Sequence, residues 1–139
     1  MEVNDKEMKT ALKALMQIDE KILCPVYGMI KKKVQRMTHT TSEYAYITIT
    51  NKGRLVIYRF DDHSSRAEAY DFVTLTFGET SVTQQGQYIA SLEFLTDSGS
   101  ADVNISYAPK IKDKDFPNQE KNSAKMYKLL KKLTGEDDG

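Results

Sequence analysis

The chain has 139 residues, 20 basic and 20 acidic side chains and a formal net charge of zero, so it lacks both the basic surplus of a nucleic-acid binder and the acidic surplus of a polyanion mimic. Its 40% apolar and 29% charged residues describe one globular domain, large enough to bury a core without covalent staples. A single cysteine, Cys24, excludes an internal disulfide and favours a reducing cytoplasm, and no stretch is apolar for long enough to cross a bilayer as a helix.

Met1 to Glu7 is polar and acidic, unlike a secretory signal. Asn4 and Glu7 have the spacing of a capping box, and Met8, Leu12, Leu15 and Met16 follow at helical intervals. The pattern predicts a helix over residues 4–17 that packs on its own domain. Ile22 to Ile30 reads as a strand, with Pro25 assigning it to an edge or a bulge because proline has no backbone donor. Lys31 to Ser42 has no apolar periodicity and reads as a loop.

Tyr44 to Thr50 alternates, with Ala45, Ile47 and Ile49 on one face and Tyr44, Tyr46 and Thr48 on the other. Asn51-Lys52-Gly53 turns the chain, Gly53 suiting the left-handed position, and Arg54 to Phe60 returns as the partner strand. After the polar turn Asp61 to Ser65, strands are predicted over Tyr70 to Phe77, Thr80 to Gln84, Tyr88 to Thr96 and Ala101 to Tyr107. In the last of these Ala101, Val103, Ile105 and Tyr107 face inward and Asp102, Asn104 and Ser106 outward. Ile111 and Phe116 are the apolar anchors of a polar connection. A helix then runs from Asn118 to Thr134, with Met126, Tyr127, Leu130 and Leu133 as its apolar stripe, lysines toward its end and Gly135 at its stop. The acidic tail 136–139 is expected to fray.

About seven antiparallel strands followed by an amphipathic helix resemble the pleckstrin-homology fold, and two stretches resemble its bacterial pleckstrin-homology-like members more narrowly. These are Asp19-Glu20-Lys21-Ile22-Leu23, against a "DE-x-I" pattern, and Ile47-Thr48-Ile49-Thr50-Asn51-Lys52-Gly53-Arg54-Leu55-Val56, against "L-x-L-T-N-x-R-L". Here a glycine stands between the lysine and the arginine. The resemblance covers residues 19–135. It implies a mainly β (α+β) single domain over 1–139, a partly open barrel plugged at one end by the C-terminal helix, with the N-terminal helix added. Lipocalin-like and other small barrels with a terminal helix are the alternative.

Lys31, Lys32, Lys33 and Arg36 form the concentrated charge feature, where the resemblance places phosphoinositide-binding cations in some members. They are the candidate anion site, weighed against a solvated loop. His39 and His63 lie in separate loops and give no metal-ligand constellation, and Cys24 sits beside Pro25 as a small hydrophobe rather than a nucleophile. No phosphate-binding glycine loop or nucleophile elbow occurs. Tyr44, Tyr46 and Tyr58 with Arg54 and Arg59 have the residue types of a nucleic-acid stacking platform, but cross-strand packing is the stronger reading. The expectation is a non-enzymatic intracellular binding module without cofactor or metal, acting through protein contacts or self-association. Weak binding of anionic lipid headgroups by residues 31–36 is the alternative.

Overall fold

The computed structural model describes residues 3–33, 40–61, 63–111 and 114–136. Helix α1 (Asp5–Lys13) precedes seven strands, β1 (Val26–Lys33), β2 (Thr40–Ile49), β3 (Arg54–Phe60), β4 (Ser65–Asp71), β5 (Leu75–Val82), β6 (Tyr88–Thr96) and β7 (Gly99–Tyr107), and helix α2 (Gln119–Leu133) follows. The strands form one antiparallel sheet in the order β4-β3-β2-β1-β7-β6-β5, which does not close. The expected fold class, a mainly β, partly open barrel with a helix at each end of the chain, is the one observed.

The alternating residues of each strand divide between two hydrophobic clusters. On the inner face Val26, Ile30, Ala45, Ile47, Ile49, Leu55, Ile57, Ala90, Leu92, Phe94, Val103 and Ile105 are buried together. Met126 and Leu130 of α2 enter the same cluster without exposure, so the helix plugs one end of the barrel. On the outer face of the first half-sheet, Tyr46, Val56 and Phe60 are buried under Met8 and Leu12 of α1 and against Phe116. Phe116 stacks on Tyr27 at 5.0 Å, anchoring the connection as the sequence predicts. The tyrosines expected to pack across strands do so: Tyr46 lies against Tyr58 at 6.1 Å and Phe60 at 4.7 Å.

Local chemistry sets the helix and turn boundaries. The Asn4 side chain accepts from the Glu7 amide at 2.9 Å, capping α1, but the helix ends at Lys13 and not at 17. Gly53 has a φ of 70°, the left-handed turn position expected for it. At Gly28 a Cβ would fall 2.5 Å from the Ser106 carbonyl oxygen, so only glycine lets β1 close on β7 here.

Three expectations need correction. Strand β1 starts at Val26 and lies between β2 and β7, so it is central and not an edge. Pro25 is tolerated because it precedes the first ladder residue, where no amide is needed. Lys31, Lys32 and Lys33 are strand residues, opposite Ser42, Thr41 and Thr40. Ladder hydrogen bonds use backbone groups, so the hairpin extends through a stretch with no apolar alternation. The segment predicted as strands 70–77 and 80–84 is instead β4, a short 3-10 turn over Phe72–Thr74, and β5. The Asp71 side chain accepts from the Val73 amide at 2.9 Å and caps that turn.

Both ends of α2 are tied down by side chains. Gln119 accepts from the Tyr27 amide at 3.1 Å and donates to the carbonyls of Tyr27 and Ala108, continuing the strand ladder with an amide side chain. At the far end, the Thr80 amide and hydroxyl donate to the Glu136 carboxylate at 2.8 and 2.6 Å. Glu136 is therefore an anchor rather than part of a frayed tail, while residues 137–139 lie outside the described residues.

Candidate functional site

β1 pairs with β7 only from Met29 to Lys31, ending opposite Asn104, whereas its pairing with β2 continues to Lys33. Beyond Lys31 the two half-sheets part, and a cleft of about 550 Å³ opens between β3–β4 and the diverging ends of β1 and β7. This mouth is the end of the barrel away from α2. Its walls carry Lys31, Arg59, Arg66, Glu68, Tyr70 and Asp102.

Charged residues on the inner face close the barrel here. Arg59 follows Leu55 and Ile57 on that face, and its guanidinium donates to Glu68 at 2.5 Å and to Glu43 at 2.9 Å. Its side chain is almost completely buried, as a bidentate cation can be when both carboxylates are in place. Tyr70 donates to the second Glu68 oxygen at 2.5 Å and stacks on Phe94 across the barrel at 4.9 Å. Burial pushes the Glu68 carboxyl up, but the hydrogen bonds from Tyr70 and Arg59 outweigh it and hold it below its ordinary range. Burial and the bond to Glu68 push the Tyr70 hydroxyl up to about 12. Arg66 lies farther from the same carboxylates, at 3.8 and 3.7 Å, with 54% of its side chain exposed.

Of the cations of the mouth, Arg59 and Arg66 are thus paired with Glu43 and Glu68, while Lys31 and Asp102 line the cleft without an ion pair among the described residues. Arg59 Nε is buried without a hydrogen-bond partner among the described residues, while Lys31 and Arg66 present exposed donors to the cleft. Of the predicted anion site, Lys31 reaches this cleft. Lys32 and Lys33 continue the strand, and Arg36 lies outside the described residues. Arg59, Arg66, Glu43 and Glu68 were not predicted for this site; the signal available was the alternation Arg66, Glu68, Tyr70, which places two charged groups and an aromatic ring on one strand face.

The two stretches that carry the sequence resemblance meet at the opposite end of β3. Glu20, with a side chain fully buried, accepts from Arg54 Nε at 2.8 Å, from the Thr50 hydroxyl at 2.6 Å and from the Gln17 amide at 2.9 Å. Asn51 accepts from the Lys21 amide at 2.7 Å. The Arg54 hydrogen bond outweighs burial and lowers the Glu20 carboxyl to about 2. This pair fastens the linker between α1 and β1 to the β2–β3 turn. Both Glu20 oxygens are satisfied by Arg54, Thr50 and Gln17 within the chain, so the pair is structural.

His63 sits in an exposed turn where its amide donates to Asp61, and His39 lies outside the described residues. Among the described residues no group of three or more His, Cys, Asp or Glu side chains gathers where a metal ion would sit. Cys24 is buried, and burial raises its thiol above the ordinary range. No helix among the described residues is long and apolar enough to cross a membrane.

The second half-sheet presents a different surface. On the outer face of β5–β7, Phe77, Glu79, Leu95 and Asp102 are exposed. Phe77 and Leu95 are 53% and 58% exposed, and Val73 in the preceding turn 89%.

No family model and no curated protein matches the chain. Among solved structures it is similar to the hSac2 domain from the human phosphoinositide phosphatase Sac2, with a TM-score of 0.52 and 14% identity over 95% of this chain and 83% of that one. At that identity the likeness is one of fold.

Proposed function

We propose that the protein is a non-enzymatic intracellular binding module of the bacterial pleckstrin-homology-like kind, working through protein contacts or self-association. The observation that supports this reading is the open outer face of β5–β7, where Phe77 and Leu95 stand exposed on a sheet whose other half is roofed by a helix. Exposed apolar side chains that join into one patch mark an interaction surface. The two edge strands, β4 and β5, add unpaired backbone groups to which another chain can add a strand. Light scattering over a concentration series, combined with capture of partners from an extract, tests the reading. A concentration-dependent mass or a specifically retained protein is expected; a strict monomer that retains nothing specific overturns it.

A second reading, a weak site for anionic headgroups, is favoured by the mouth cleft with exposed Lys31 and Arg66. The carboxylates of Glu43 and Glu68 beside Arg59 and Arg66 limit it to weak attraction, of about 1 kcal/mol per free charge at an anionic surface. Vesicles with and without anionic lipid distinguish the cases. Salt-sensitive association lost in a variant with Lys31, Lys32, Lys33 and Arg36 all changed to alanine supports this reading; no association at low salt eliminates it.

A further inference from the structure

The net charge of zero conceals a strong separation of charge. From Ala67 to Pro109 the chain contains no lysine or arginine, and β5 to β7 carries Glu79, Glu93, Asp97 and Asp102. Helix α2 carries five lysines, at 121, 125, 128, 131 and 132, and one acid, Glu120. None of these lysines makes an ion pair with a described residue, and Lys121, Lys125, Lys128 and Lys132 are exposed. The charges of β5 to β7 are therefore all acidic, and those of helix α2 almost all basic.

Each surface also has an apolar centre. On the acidic sheet Phe77 lies opposite Glu93, and Glu93 lies opposite Asp102, so one row across three strands reads aromatic, acid, acid. Two carboxylates directly opposed across a ladder repel each other, and no described residue forms an ion pair with either. On the basic side an open depression of about 380 Å³ lies between α2 and β6, lined by Tyr88, Ala124 and Tyr127 together with Lys128 and Lys131. Tyr88 and Tyr127 are 4.9 Å apart, and the Lys131 ammonium lies 5.2 Å from the Tyr127 ring centre.

We infer that the chain binds a second copy of itself head to tail, with the partner's Phe77 seated in the Tyr88–Tyr127 depression and the partner's Glu79 and Glu93 facing Lys128 and Lys131. This inference rests on the self-association reading and names its surfaces. An aromatic side chain flanked by acids complements an aromatic pair flanked by lysines in ring chemistry and in charge. A membrane would engage the lysines alone and leave Phe77 and the opposed Glu93 and Asp102 without a counterpart, whereas a second copy supplies an aromatic surface for Phe77 and cations for the acids beside it. In a head-to-tail contact the pairing is not returned between the same two copies, so each copy keeps one free face of each kind and assembly continues as a ring or an open chain of copies.

Sedimentation velocity over a concentration series at low ionic strength, with circular dichroism and thermal melts to confirm folding, tests this. The mass should rise with concentration, weaken about tenfold in dissociation constant at several hundred millimolar salt, and stay monomeric in Phe77→Ser. The double reversals E79K/E93K and K128E/K131E should each be folded and monomeric alone, yet associate when mixed, because each then supplies the sign the other lacks. Association that ignores both reversals overturns these surfaces while leaving self-association standing. A wild-type monomer up to millimolar concentration overturns the inference. If that monomer retains a different protein, the wider binding reading survives; if the lysines instead bind anionic vesicles, they belong to a membrane surface.

Discussion

The two halves of the sheet share one interior but treat their outer faces in opposite ways. On β2 and β3 the outer residues Tyr46, Val56 and Phe60 are large and apolar, and α1 covers them with Met8 and Leu12. On β5 to β7 the corresponding positions are Glu79, Ser91, Glu93, Asp102 and Asn104, interrupted by Phe77 and Leu95, and they remain open to different degrees. A strand buried on both faces needs apolar residues at every position, while one with a wet face alternates. The contrast shows that the first half-sheet has its roof built into the chain and that the second is finished for solvent or for a partner.

The largest effect should come from removing what both halves share. Deleting the chain from Asn118 onward takes Met126 and Leu130 out of the core and uncovers the inner face around them. Each large apolar side chain exposed costs about 1.5–3 kcal/mol, against a total stability of about 5–15 kcal/mol for a typical domain. The truncated chain should aggregate and show no cooperative melt. A folded product with unchanged thermal stability would mean that α2 does not plug the barrel.

Next in size is the roof itself. Leu12 is completely buried between α1 and the outer face of β2–β3, so Leu12→Ala should cost about 2–5 kcal/mol, measured as a fall in denaturant midpoint. A loss below about 0.5 kcal/mol would show that α1 rests on the sheet without contributing to its stability.

The tether of that roof makes a pH-dependent contribution. The Glu20 carboxyl lies at about 2 in the folded chain against an ordinary value of 4.5, so the native state holds its proton more weakly than the unfolded chain does. The resulting stability is present in full above pH about 4.5 and is lost as pH falls toward 2. It is worth on the order of 3 kcal/mol. Glu20→Gln should lose about that amount at neutral pH and converge with the wild type near pH 2 in urea titrations. Parallel stability curves for the two proteins across this window would remove the pair from the account.

The contrast between the halves was partly legible in the sequence. The alternations from Tyr44 to Thr50 and from Ala101 to Tyr107 predict the faces correctly, because packing on those strands agrees with the period of the pleat. Capping at Asn4 and the turn at Gly53 are local chemistry and were readable for that reason. Lys31 to Lys33 and Ser65 to Ala69 were missed as strand for a shared cause: both are ladders at the mouth, where periodicity in hydrophobicity disappears although backbone pairing continues. Arg59, Glu43 and Glu68 come from three strands, and no spacing along the chain announces a network assembled by register. The links from Gln119 to Tyr27 and from Glu136 to Thr80 span 92 and 56 residues, and nothing in the local pattern at either end encodes the other.

The smallest expected effect is on the open face, and it gives the sharpest test of the contrast. Leu95→Ser removes an apolar side chain that is already 58% exposed, so little transfer free energy is lost and no cavity forms; the change should lie within about 0.5 kcal/mol in dilute solution. Leucine is removed here as at position 12, yet the cost should be several-fold lower, because only one of the two sites has a roof. Raising the protein concentration should alter that result. If copies associate through this face, the wild type gains stability by mass action and the variant does not. A gap between them that is small when dilute and widens with concentration, in melts run on both proteins side by side, is the expected outcome. A gap as large as that of Leu12→Ala in dilute solution would show that something within the chain already covers Leu95.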